Sequence, residues 1–141
     1  MDRNTAVWDW IKGFPEVDKL FFNFGEANDG TSILIPNPTD LVIKTDITGI
    51  KTCRYDFAYA VFLTTDSTTP FSTQNIEALN SAELFGRWIV AQNKAKSYPD
   101  FGTNVVVTSL TLLSNTPTVT AISESVAKYL TQVRIEYEVY E

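Results

Sequence analysis

Lys51-Thr52-Cys53-Arg54-Tyr55-Asp56-Phe57-Ala58-Tyr59-Ala60-Val61-Phe62-Leu63-Thr64-Thr65 is the stretch on which the fold turns. Its side chains alternate, as they do in a strand. Tyr55, Phe57, Tyr59, Val61 and Leu63 fall on one face, and Arg54, Asp56, Ala58, Ala60 and Phe62 on the other. The aromatic face needs a cover. The second face begins polar and becomes small and apolar, so something can pack closely on part of it.

A matching cover lies downstream. Leu84, Phe85, Trp88 and Ile89 form an apolar helical stripe, with Gln92 on the same side. Asn80 and Glu83 have the spacing of a capping arrangement. Ser72 to Leu79 either extends this helix or forms a separate turn, with Ile76 and Leu79 as its apolar contacts, and Pro99 closes the region. Burying such rings contributes roughly 2–3 kcal/mol each, so the pairing of helix and strand should dominate core formation.

The remaining elements fit around this pair. Val7, Trp10, Ile11 and Phe14 recur at helical spacing, with Asn4 or Asp2 as a possible cap and Gly13 with Pro15 as the stop. Leu20 to Phe24, Ser32 to Ile35 and Leu41 to Lys44 read as short strands. Pro36 and Pro38 limit regular pairing between the last two and suggest an edge or a break. Gly49 marks a turn. Asn104 to Leu113 and Lys128 to Tyr140 read as long strands. The latter sets Tyr129, Val133, Ile135, Tyr137 and Val139 against Gln132, Arg134, Glu136 and Glu138. Ser114 to Ala127, rich in Ser and Thr, reads as a long loop. The sum is an α+β chain. It has a mostly antiparallel β-sheet, with one long helix and one short N-terminal helix packed on it. No repeat or boundary divides residues 1–141, so one domain is expected.

Composition narrows the chemistry. The chain has 141 residues and a hydrophobic fraction of 44%, enough to build a core and too much for overall disorder. It contains no histidine, which removes Ser-His and Cys-His nucleophile pairs, histidine bases and His-containing zinc sites together. Its single cysteine, Cys53, can form no internal disulfide, and without a histidine base it reads as a structural thiol beside Arg54. The net charge of −6 and scattered basic residues disfavour sequence-specific nucleic-acid binding. No apolar run is long enough to cross a bilayer, and Met1 to Thr5 lacks the basic start of a signal peptide, so a cytoplasmic origin is expected.

The charged pairs Arg54/Asp56 and Arg134/Glu136 are best read as cross-strand ion pairs on a sheet face. Glu26, Asn28 and Asp29 before Gly30 lack the ligand spacing of a calcium loop and read as a turn. Trp10 and Trp88 lie on apolar stripes and belong to the core. Trp8 lies off the stripe and is a candidate anchor for a neighbouring subunit. Three polar segments are the candidate contact loops: Glu26 to Thr31, Asp46 to Lys51 and Ser114 to Glu124. With Trp8, the interface residues expected from them are Glu26, Asn28, Asp29, Asp46, Thr48, Lys51, Ser114, Thr116, Thr118, Thr120 and Glu124. No catalytic residue, metal or cofactor is expected.

Four stretches in this order resemble a known family. They are Val7-Trp8-Asp9-Trp10-Ile11, the strand Arg54 to Phe62, the helical run Leu84-Phe85-Gly86-Arg87-Trp88-Ile89-Val90-Ala91-Gln92-Asn93, and the closing strand Tyr129 to Tyr137. Together they resemble the tail terminator, or tail completion, proteins of long-tailed siphophages. These are packing positions rather than reaction motifs. The resemblance implies a virion protein, assembled in the host cytoplasm, that forms a six-membered ring. Such a ring ends polymerisation of the tail tube and meets both the tail tube protein and the head-tail connector protein. Another head–tail joining or minor capsid component is the alternative. An acidic chain would suit a channel that DNA passes without sticking.

Overall fold

The computed structural model describes residues 3–15, 19–22, 31–64, 73–114, 117–121 and 126–140. Two helices, α1 (Arg3–Ile11) and α2 (Thr73–Ala95), accompany six strands: β1 (Lys19–Phe22), β2 (Thr31–Thr45), β3 (Lys51–Thr64), β4 (Val105–Leu112), β5 (Thr118–Ala121) and β6 (Val126–Val139). The strands form one sheet in the order β1-β2-β3-β6-β4, with β5 also paired to β6. Every pairing is antiparallel except that of β1 with β2. The fold is therefore α+β, as the alternating and helical patterns require.

The centre of the sheet is the β3–β6 pair, whose register runs unbroken from Lys51↔Val139 to Thr64↔Val126. Its aromatic face carries Cys53, Tyr55, Phe57 and Tyr59 from β3 and Val133, Ile135 and Tyr137 from β6, all buried with Phe85 and Ile89 of α2. Val7, Ile11 and Phe14 close the same core from the N-terminal side. The rings interlock. Tyr59 stacks on Phe85 with centroids 4.1 Å apart and planes at 14°, and Phe14 meets Phe85 edge-on at 5.5 Å. Cys53 is buried in this layer, which fits a structural thiol.

Three elements depart from the sequence reading, each for a local physical reason. The two short strands expected on either side of Pro36 and Pro38 are one strand, β2. Its ladder to β3 shifts register between Asn37 and Leu41 and again between Val42 and Lys44. Proline has no N–H to give the ladder, and the irregularity absorbs that loss without ending the strand. Asn80 does not start the long helix; it sits exposed inside α2, which begins at Thr73, so Ser72 to Leu79 largely belongs to the helix. Finally, Ser114 to Ala127 is not all loop. Thr118–Ala121 forms β5, paired from Thr118↔Leu130 to Ala121↔Ala127. It continues the edge that β4 begins, because β6 is longer than β4 and leaves its first residues open to a second partner.

The C-terminal end of α2 is tied to the edge strand by one side chain. Asn93 Oδ1 accepts the Leu110 N–H at 3.0 Å and the Tyr98 hydroxyl at 3.1 Å. The outward-facing amide of Leu110 is thus capped rather than offered to another strand, a common device for closing a sheet edge. Asn93→Ala strands that amide and should cost about 1–3 kcal/mol in urea unfolding, with more aggregation during refolding.

Candidate functional site

Among the described residues Ile47, Val90, Val106, Leu113, Val119 and Tyr140 are the large apolar side chains left exposed, and two of the places they mark are a turn and a groove. The first is the β2–β3 turn. Asp46 Oδ1 accepts three hydrogen bonds: from the Thr48 N–H at 2.8 Å, the Thr48 hydroxyl at 2.6 Å and the Ile50 N–H at 3.0 Å. Gly49 takes φ +91°, a left-handed conformation in which a side chain would be strained, with its N–H bonded to the Asp46 carbonyl at 3.1 Å. These bonds fix a tight turn that holds Ile47 fully exposed at its tip. The Thr48 hydroxyl bond is the largest effect on the Asp46 carboxyl; desolvation opposes it, and the backbone amides of Ile50, Thr48 and Gly49 add to it, so the carboxyl lies below its ordinary range.

A lowered carboxyl pKa works in one direction. The turn's stabilisation is present above the usual carboxylate range and is lost as pH falls through the depressed value. Protection of the Thr48 and Ile50 amides, taken as exchange relative to the intrinsic rate at each pH, should therefore be constant near neutrality and fall only in strong acid. Asp46→Ala should remove that protection at every pH, with little change in global unfolding because the turn is exposed. Equal exchange in the two proteins at neutral pH would show that the carboxylate does not hold the turn.

The second place is concave. α2 and the end of β4 enclose a groove of about 390 Å³ lined by Gly86, Arg87 and Val90 of the helix and by Leu112, Ser114 and Pro117. Gly86 faces Leu112: a Cβ there would lie 3.4 Å from Leu112 Cδ1, about ordinary contact distance. Val90 is about half exposed at 48%. Arg87 and Glu83 form an i,i+4 pair at 3.6 Å with the arginine mostly in solvent. Val119 of β5 and Leu113 add exposed apolar surface along the same edge.

The face of the sheet opposite the helices is mainly polar along β3 and β6. Register places Arg54 across from Glu136, and Asp56 across from Arg134. Arg134 grips Asp56 with two parallel bonds, Nε to Oδ1 at 3.0 Å and Nη2 to Oδ2 at 3.1 Å. The Asp56 hydrogen bond raises the arginine pKa. The ion-pair reading of these residues holds for Asp56 and Arg134. On this face of the two strands Arg54, Lys128 and Arg134 offset Asp56, Glu136 and Glu138, so the acidic excess of the chain lies elsewhere. Further along, this face turns apolar at Ile33, Ala60 and Phe62, which are buried.

The expected interface residues divide among these places. Asp46, Thr48 and Lys51 share the β2–β3 end of the sheet, where Val139 and Val105 also lie. Ser114 lines the groove, and Thr118 is exposed on β5 opposite Leu130. Thr120 lies in β5 opposite Lys128. Trp8 is not the exposed anchor its position off the stripe suggested. It is half-buried against the core, with the Lys12 ammonium 5.1 Å from its ring centroid. Trp10 and Trp88 meet in the core margin at 4.8 Å, and the Trp10 indole N–H donates to the Ser97 carbonyl at 3.0 Å. Glu26, Asn28, Asp29, Thr116 and Glu124 lie outside the described residues.

Sequence reasoning missed Ile47, Gly86 and Val90. The available signals were an isoleucine inside an Asp-x-Thr-Gly turn and a valine just off the Leu84–Ile89 stripe. Among the described residues no group of three or more Cys, Asp or Glu is arranged to hold a metal ion, and no helix is long and apolar enough to cross a membrane. No family model matches the chain, and no curated protein matches it.

Proposed function

We propose that this chain is a structural subunit of a phage virion that caps the tail tube and ends its polymerisation, forming the joint to the head connector. The observation that carries the reading is a long central sheet whose described residues next to the polar segments stand at both ends. The Asp46–Ile50 turn stands at one end of β3. Ser32, Ala121 and Val126, in or beside the other polar segments, stand toward the far end, opposite Val61, Ala127 and Thr64. The 14 residues of β3 set these ends about 45 Å apart. A subunit that meets one partner below and another above needs such a two-ended body.

The groove between α2 and β4 lies beside the sheet rather than at either end of β3, so surface remains for neighbouring copies, and head-to-tail contacts that close by rotation give rings. The balanced charge of the open β3–β6 face suits a wall that passes DNA without gripping it.

The test adds purified protein to tail tube subunits during assembly. The expected result is tubes that stop growing, with the protein at one end as a ring of six 15.8-kDa chains. Unhindered growth, with binding only to the portal side of the connector, would replace this reading with that of a head–tail joining component.

A further inference from the structure

Two rows of backbone pairing cross five strands of the sheet. One runs Leu20, Ser32, Val61, Tyr129, Val119, and the next Phe21, Ile33, Ala60, Leu130, Thr118. Each row begins on β1 and ends on β5, and both of these strands have 4 residues. Among the described residues β1 pairs only with β2, and β5 only with β6. The sheet therefore has two outer edges at one level. A strand edge offers alternating N–H and C=O groups, and another extended strand satisfies them in kind.

Toward the Lys51 end the edges are blunted. Asn93 Oδ1 takes the Leu110 N–H of β4, and the Tyr98 hydroxyl donates to the Thr108 carbonyl at 3.4 Å. On the other side β2 runs on past the last residue paired with β1 and carries Pro36 and Pro38. Such features keep an edge from pairing with another chain. β5 has none of them. Thr118-Val119-Thr120-Ala121 carries no charge and no proline, and Val119 is about half exposed. Strand direction then picks the partner. β1 is parallel to β2, and β2 and β6 are both antiparallel to β3, so β1 and β6 run the same way. β5 is antiparallel to β6 and hence to β1. A second copy brought alongside by rotation about an axis along the strands sets its β1 antiparallel to β5 of the first. Because the two edges share rows, the copies meet without sliding along the strands. Lys19 would fall opposite Thr120 and meet no charge of its own sign.

We propose that a second copy of this chain adds its β1 to β5 of the first, antiparallel, with Leu20 opposite Val119 and Phe21 opposite Thr118, so that one sheet continues from copy to copy. This contact specifies the sideways interface of the ring put forward above. It does not need that reading, because it requires no tube or connector. Four residues a side give only a few ladder bonds. A single contact is therefore weak, and copies join at high concentration or where closure of a ring makes the last contact intramolecular.

The test follows backbone amide exchange in the full native chain as its concentration is raised from the low to the high micromolar range. Exchange at Lys19–Phe22 and at Thr118–Ala121 should slow together, by at least about 10-fold at the slowest-exchanging amide of each strand, as amides are taken up into a new ladder. The Leu110 amide, already held by Asn93, should not change. Val119→Lys places a charge at a half-exposed edge position and should leave folding intact. It should abolish the slowing at both edges and weaken self-association at least about 10-fold by sedimentation.

Three results would overturn the proposal. They are slowing at Thr118–Ala121 alone, which would mean that β5 pairs with a second β5, no slowing at either edge at the highest concentration, and slowing that survives Val119→Lys. Failure here with tube capping intact would mean that the ring uses another surface. Success here without capping would leave a sheet shared between copies and remove the tail-tube role.

Discussion

Phe85→Ala is expected to lower the unfolding free energy by about 3–5 kcal/mol, the range for removing a fully buried aromatic ring. Phe85 is 1% exposed. Its ring lies flat on Tyr59 at 4.1 Å, edge-on to Phe14 at 5.5 Å, and 5.9 Å from Trp88. One truncation therefore removes contacts to the central strand, the N-terminal segment and its own helix together. The hole is walled by rings that cannot turn into it without losing their own packing, so little of the cavity should collapse. A domain of ordinary size has about 5–15 kcal/mol in total, so the variant should sit near its folding limit and melt roughly 10–20 °C lower. Phe85→Leu should cost less, about 1–2 kcal/mol, because much of the volume stays while the stack is lost. Urea unfolding of the three proteins checks this. A loss below about 1 kcal/mol for alanine would show that the α2–β3 ring layer is not the main source of stability.

That ring layer is also the part most legible in the sequence. Alternation along Lys51 to Thr65 and the Leu84–Ile89 stripe each fix a face, and two faces of complementary rings have few ways to meet. The joining of two short strands into β2 was not legible, because a proline pair normally interrupts a ladder and only the partner strand shows that pairing resumes. β5 was hidden in a Ser/Thr-rich stretch of low hydrophobicity. It is a strand because β6 outruns β4 and leaves ladder groups open, which is a tertiary fact. The turn at Asp46 was legible as a polar turn, yet the exposed residue that gives it an apolar point, Ile47, was passed over as part of a polar segment. Trp8 failed in the opposite direction. A position off the helical stripe predicts exposure, but a large ring at the margin of a small core is still half covered.

The ion pair between Asp56 and Arg134 should show an asymmetry that follows from burial alone. The Asp56 side chain is 10% exposed and that of Arg134 is 30% exposed. Arg134→Ala leaves a carboxylate in a nearly closed site without the cation that gave it two hydrogen bonds, and should cost about 3 kcal/mol, the lower end for breaking a buried pair. Asp56→Ala leaves a guanidinium that already reaches solvent and can turn further into it. It should cost less, about 1–2 kcal/mol, discounted for that contact with water. If the two groups act on each other, the double variant Asp56→Ala/Arg134→Ala should be more stable than the sum of the single losses implies, by about 1–2 kcal/mol. The pair lies at the centre of the β3–β6 ladder, opposite in register, so its geometry is set by backbone pairing and not by a loop that could relax. Raising salt should therefore change the coupling little, whereas it would remove most of an exposed surface pair. Urea unfolding of the four proteins at two ionic strengths measures each quantity. Equal single losses, or a coupling that vanishes in salt, would mean that water reaches Asp56 far more freely than its packing implies, and the polar face would then be a soft surface rather than a fixed wall.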